Sequence, residues 1–152
     1  MAEENFVIDL DSIQTNYLTL VGSKALNLFK LRRTGFNVPE GFCVSNIAYS
    51  EYLNKNKITD VLNVDLVKLK NAASEEKNQI LSNIRLEIIQ SKIPDTITEQ
   101  IHTYYQKLKV NYAAVRSSSA AEDMPGHSFA GLYDTFLNIT DFEECLNAVK
   151  KC

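Results

Sequence analysis

The stretch Asn111 to Thr140, NYAAVRSSSAAEDMPGHSFAGLYDTFLNIT, constrains the fold more tightly than any other part of the chain. An apolar run from Tyr112 to Val115 ends in Arg116 and passes into small residues, Ser117 to Ala121, the pattern of a buried strand opening into a loop. Small residues let backbone N–H groups come close to a ligand. Ser117, Ser118 and Ser119 add hydroxyl donors, and Arg116 supplies a planar cation suited to bidentate contact with phosphate oxygens. Glu122 and Asp123 follow, read as loop anchors because adjacent carboxylates on a turn rarely aim at one ion. After the turn Met124-Pro125-Gly126, Phe129-Ala130-Gly131 leads into a second strand, Thr135-Phe136-Leu137. Two strands joined by such a loop predict an anion site.

From its start, the chain offers a short strand at Asn5 to Asp9 and an apolar run from Leu18 to Val21. Gly22-Ser23 then introduces a helical pattern in which Ala25, Leu28, Phe29 and Leu31 can share a face, with Gly35 as its stop. Lys24 falls in the first turn of that helix. A cation there opposes the helix dipole unless an anion shares the site. Val38-Pro39-Glu40-Gly41 reads as a turn and Phe42-Cys43-Val44 as a short buried strand, with Ser45 or Asn46 capping a helix that carries Ala48, Tyr49 and Tyr52.

Residues Asn54 to Lys70 are rich in lysine and asparagine and carry no signal of chemistry. Ser74 caps a helix to about Gln90 with Ile80, Leu81, Ile84 and Ile88 on its stripe. Beyond the break at Ser91 to Pro94, Asp95 or Thr96 starts another, with Ile97, Ile101, Tyr104, Tyr105 and Leu108 apolar. The pair is expected to cover one face of the sheet. His102, on the second of them, sits among polar neighbours and is expected to be exposed. At the end, Asp141 and Glu144 form a capping-box pattern before Cys145, Leu146 and Val149.

Charge and cysteine content narrow the function classes. With 152 residues, 45% hydrophobic and 23% charged, the chain is one domain's worth of soluble globular sequence. Its formal net charge of −3 gives no pull toward nucleic acid or an anionic membrane, so an anion site must be built by local geometry. Cys43, Cys145 and Cys152 are odd in number and widely spaced, which indicates neither a zinc site nor a disulfide framework. No apolar run is long enough to span a bilayer, and the acidic start Met1-Ala2-Glu3-Glu4 is unlike a signal peptide, so a cytoplasmic location is expected. A serine–histidine nucleophile built from the serine cluster and His127 is disfavoured, because no strained elbow surrounds the serines.

Two segments carry a resemblance to known families. AVRSSSAAEDMPGHSFAGLYDTFLNI closely resembles a segment of the nucleotide-binding domain of the phosphoenolpyruvate synthase, pyruvate phosphate dikinase and rifamycin phosphotransferase families, where it runs approximately AVRSSATAEDLPxxSFAGQxDTxLN. VGSKALNLFKLRRTGFNVPEGFCVSNIAYSEYL is similar to their opening signature, VGGKGxxLxxLxxxGxxVPxGFxVTxxAYxxFL. The resemblance implies an α/β (α+β) fold, the N-terminal portion of an ATP-grasp nucleotide-binding domain, with residues 1–152 as a partial subdomain ending before its second lobe. It implies ATP as ligand, with Lys24 and Arg116 on its phosphates, Gly131 and Thr135 lining the cleft, and Ser117 and Ser118 as further contacts. No catalytic residue is implied in this chain. The Mg2+ ligands are expected in the missing lobe, which together with the remainder of the parent enzyme is the expected partner.

The complete enzyme implied by the resemblance phosphorylates a histidine on a swivelling domain and passes the phosphoryl group to pyruvate. In a rifamycin phosphotransferase the same nucleotide domain would serve an antibiotic, and the chain alone is expected to be inactive. A further reading is a non-catalytic nucleotide- or partner-binding module, or a remnant. It is favoured by Ser23 and Ala25, which stand where the signature has glycine and could narrow the loop.

Overall fold

The computed structural model describes residues 5–119 and 134–152, and shows a mixed α+β fold with two small antiparallel sheets. Its residues fall into two compact units, one from Met1–Ala48 with Asp95–Cys152 and the other from Tyr49–Pro94. The elements are β1 (Val7–Asp9), α1 (Leu18–Arg33), β2 (Phe42–Val44), α2 (Asn46–Lys55), α3 (Ile58–Asn71), α4 (Ser74–Gln90), α5 (Asp95–Leu108), β3 (Ala113–Arg116), β4 (Thr135–Ile139) and α6 (Phe142–Lys151). Among the described residues, no helix is long and apolar enough to cross a membrane.

In the first unit, β1 pairs with β2 in the register Val7↔Val44, Ile8↔Cys43, Asp9↔Phe42. The Leu10 N–H extends the pairing to the Gly41 carbonyl at 3.0 Å. A 3-10 turn at Leu10–Ser12 follows β1, started by the Asp9 carboxylate, which accepts the Asp11 N–H at 2.9 Å. Strand and turn present Ile8, Leu10 and Ile13 to Val21, Ala25 and Leu26 of α1, and these six form a buried cluster. Each isoleucine, leucine or valine among them, fully enclosed, contributes roughly 1.5–3 kcal/mol. Phe29 packs against the cluster, but Leu28 and Leu31 are exposed at 39% and 42%, contrary to the helical face expected for them. The position of β1 selects the Ala25–Leu26–Phe29 side, and that long-range contact is invisible to helical periodicity.

The C-terminal end of α1 closes as expected at Gly35. That residue has φ +89, its N–H donates to the Arg32 carbonyl at 3.0 Å, and the Phe36 N–H reaches the Leu31 carbonyl at 3.1 Å, the paired bonds of a Schellman motif. Arg32 adds a staple, holding the Asp11 carboxylate through Nε and Nη2, both at 2.9 Å, while Nη1 donates to the Pro39 carbonyl at 3.2 Å. β2 is only half-buried. Ser45 caps α2, its hydroxyl accepting the Ala48 N–H at 3.3 Å and donating to the Asn5 carbonyl at 3.0 Å.

Helix α5 packs on β1, with Ile97 and Ile101 buried one turn apart and Gln100 accepting the Val7 N–H at 3.1 Å. Within the 49–94 unit, α4 packs against α3. α3 itself occupies the stretch that carried no signal, burying Ile58 and half-burying Val61, Leu62 and Leu69. On α4, Ile80, Ile84 and Ile88 are half-buried but Leu81 is exposed, and Ser74 is the first helical residue with no side-chain cap before it. Tyr52 ties α2 to the end of α4 by donating its hydroxyl to the Ile88 carbonyl.

The second sheet, also in the first unit, pairs β3 with β4 in the register Ala113↔Ile139, Val115↔Phe136, Arg116↔Thr135. Along β3, half-buried and exposed residues alternate, so the strand is not buried on both faces as its apolar run suggested. Between the first two pairs β4 carries one extra residue, a β-bulge, and there Asn138 adopts φ +58. Asparagine tolerates this left-handed conformation better than residues with ordinary side chains do. Asn138→Ala is therefore expected to lower stability by about 1 kcal/mol while Asn138→Gly leaves it within about 0.5 kcal/mol, in urea unfolding followed by circular dichroism. Equal losses in both variants would remove the conformational explanation. α6 begins at Asp141 as its capping pattern predicts, Asp141 accepting the Glu144 N–H at 2.8 Å, while Glu144 reaches one residue past the cap to the Thr140 N–H at 2.9 Å.

Candidate functional site

Helix α1 is broken near its start. Gly22 has φ +77 and ψ 173, so Leu18–Val21 forms a separate turn and the regular helix restarts at Ser23. Against this restart lies the serine segment that follows β3. The Ser23 N–H and hydroxyl both donate to the Ser119 carbonyl, at 3.3 and 3.2 Å. The Ala25 N–H donates to the Ser118 hydroxyl at 3.0 Å, and Lys24 Nζ donates to the Ser117 hydroxyl at 3.4 Å. These hydrogen bonds join segments more than ninety residues apart in sequence.

The approach leaves no room for a side chain on Gly22. A Cβ built on Gly22 would stand 1.8 Å from the Ser118 carbonyl oxygen. Behind the break, the Cys43 thiol donates to the Val21 carbonyl at 3.5 Å, holding the residue before Gly22 to strand β2. Burial pushes that thiol up to about 12, so it stays a neutral donor.

Ser23 and Ala25, the two departures from the signature glycines, do not strain this corner. Both are buried and both carry helical backbone angles, since Gly22 alone within α1 is non-helical. The Ser23 hydroxyl adds a bond that glycine could not make. The narrowing expected of these residues therefore finds no support in backbone strain.

Of the residues expected to contact ligand, Lys24, Ser117 and Ser118 come together through the bonds just described, with Lys24 half-buried. Arg116 is exposed at the end of β3, one peptide bond before Ser117, and stands directly opposite Thr135 on β4. Cross-strand partners share a sheet face, so Arg116 and Thr135 present to the same side. Gly131, Glu122, Asp123 and His127 lie outside the described residues. His102 is exposed and meets Phe142 edge-on at 4.6 Å, away from the serines in its contacts. Among the described residues no group of three His, Cys, Asp or Glu side chains is placed to hold a metal ion. Gly22 and the Ser119 carbonyl were not singled out as site groups in the sequence. Their one signal was the glycine of the VGSK segment.

An ammonium seated on a serine hydroxyl, with an exposed arginine one residue before that serine, can accept a multiply charged anion, with positive charge supplied from two segments. The chain belongs to the family described as pyruvate phosphate dikinase, AMP/ATP-binding domain, which it matches over residues 18–152. It is 39% identical over 150 residues to a rifampicin phosphotransferase of Bacillus cereus, covering 97% of this chain and 17% of that protein. A rifampicin phosphotransferase of Bacillus subtilis is 37% identical with the same coverage. A probable phosphoenolpyruvate synthase of Staphylothermus marinus is 33% identical over 158 residues, covering 99% of this chain and 19% of that protein. The chain thus spans less than a fifth of the length of these relatives.

Proposed function

We propose that this chain is the front portion of an ATP-grasp nucleotide-binding domain and that the corner at Gly22–Ala25 and Arg116–Ser119 receives the phosphates of ATP. The observation that carries the reading is the seating of Lys24 on Ser117, which sets a cation beside a hydroxyl loop from a distant part of the chain. Family membership supports the nucleotide. Arg116 and Thr135, adjacent across β3 and β4, would extend the same surface, with Gly131 completing it.

When bound, ATP supplies a transferable phosphoryl group. The residues here do the electrostatic part of that chemistry: Lys24 and Arg116 offset phosphate charge, and the serine hydroxyls orient oxygens. Mg2+ is assigned to no residue of the described structure, and its ligands are sought elsewhere in a parent protein. In that parent, of the phosphoenolpyruvate synthase type, the phosphoryl group would pass through a histidine to pyruvate. A rifamycin-type acceptor has specific support in the two Bacillus relatives, which are named for it and match at 37–39%. A cytoplasmic setting suits either.

The test is an NMR titration of the chain with Mg-ATP, repeated for Lys24→Ala and Arg116→Ala. Saturable shifts confined to residues 22–25, 117–119 and Thr135 are expected. Each variant should lose roughly tenfold to a hundredfold in affinity, the range for one charge-assisted hydrogen bond. A folded chain with no shifts at millimolar nucleotide, or variants that bind as wild type does, would sink the assignment.

A further inference from the structure

We infer that Ser118 is a positioning residue that caps helix α1 in trans, occupying the place of a cap side chain that Gly22 lacks. The regular helix restarts at Ser23, so Gly22 is its N-cap, Ser23, Lys24 and Ala25 being the first three helical positions. An N-cap side chain ordinarily supplies an oxygen that accepts the N–H of the second or third of these. Gly22 has no such oxygen. The Ala25 N–H, at the third position, is instead taken by the Ser118 hydroxyl at 3.0 Å.

The substitution is spatial as well as chemical. A Cβ on Gly22 would fall 2.7 Å from Ser118 Oγ, so the serine hydroxyl lies where the side chain of a conventional cap residue would be. The Ser119 carbonyl takes the Ser23 N–H at 3.3 Å, satisfying a second N-terminal donor from the same loop. The ammonium is then set beside Ser117 by the same docking. Ser117 and Ser118 therefore divide the work: Ser117 faces the cation and Ser118 holds the helix that bears it.

The functional consequence rests on the nucleotide reading above, and the test separates the two. Ser118→Thr keeps a hydroxyl, and Ser118→Val is its isostere without one. Exchange of the Ala25 amide is measured in the nucleotide-free chain by NMR, and Mg-ATP affinity is then measured for both variants. The expected result is Ala25 exchange near wild type in Ser118→Thr and about fivefold faster in Ser118→Val, the factor matching about 1 kcal/mol for a cap. Mg-ATP affinity should follow the same order, and failure of Ser118→Val alone to fold would also support a structural need for the hydroxyl. Equal Ala25 exchange in the two variants overturns the cap. Ser118→Val that speeds Ala25 exchange yet binds Mg-ATP as wild type does overturns the division of work, because the cap would then not serve the lysine. A wild-type chain that binds no Mg-ATP rejects the nucleotide reading alone, and Ala25 exchange still decides the cap.

Discussion

Gly22→Ala is expected to lower the stability of the chain by roughly 3 kcal/mol or more and to eliminate the seating of the serine segment on α1. Two separate costs combine. At φ +77 and ψ 173 the backbone occupies a region reached essentially by glycine alone, and holding another residue there costs of order 1–3 kcal/mol. A methyl group must also displace the Ser118 carbonyl, which stands 1.8 Å from its position. That partner is backbone, so no side-chain rotation relieves the overlap. Gly35→Ala serves as the control, because Gly35 has φ +89 with nothing within 4 Å of an added Cβ. It should cost only about 1 kcal/mol. Urea unfolding of both variants, read by circular dichroism, gives the comparison. A Gly22→Ala loss no greater than that of Gly35→Ala would mean that the two segments are not in close approach in solution.

The same corner shows where sequence reasoning stops. The residue types of the site are legible because each chemical role has its own signature: a cation after a glycine, a run of hydroxyls after a strand, an arginine at the strand end. What each residue does within the corner is not. Ser118 reads as a donor to ligand, and its hydroxyl also accepts the Ala25 N–H from 93 residues away. No local pattern encodes that partner. Ser23 and Ala25 read as obstacles for the complementary reason: one cost of losing glycine arises where the backbone needs positive φ, and within α1 that need falls on Gly22.

Element ends were legible wherever a side chain or a glycine closes them locally. Gly35, Ser45 and the Asp141–Glu144 pair all do so in the structure as the sequence predicts. α3 had no such mark. It starts after Lys57, a lysine in the left-handed conformation with no side-chain cap, and its apolar stripe is interrupted by Asp65, which is drawn to Lys68 at 2.7 Å. The inward side of α1 was misjudged for a different reason. Leu28 and Leu31 are as apolar as Leu26, and only the location of β1 and the 3-10 turn decides which are covered.

Ile101→Ala should be the most damaging of the simple truncations in the first unit, costing about 2–5 kcal/mol. Ile101 is 0% exposed and Ile97, one turn earlier, is 2% exposed, on the helix that packs against β1. Removing Ile101's side-chain atoms beyond Cβ leaves space that neighbours can fill only by shifting, so transfer and cavity costs add. β1 in turn carries Ile8 into the cluster with Val21 and Ala25, which flank the Gly22 break. Loosening α5 from β1 is therefore expected to weaken the support of the α1 restart as well. The urea midpoint should fall with little change in slope, and saturating Mg-ATP should recover part of the loss if nucleotide binds the folded corner. Leu31→Ala, on the exposed side of α1, should change stability by less than about 1 kcal/mol. Equal effects of the two substitutions would show that α5 does not carry the core of this unit.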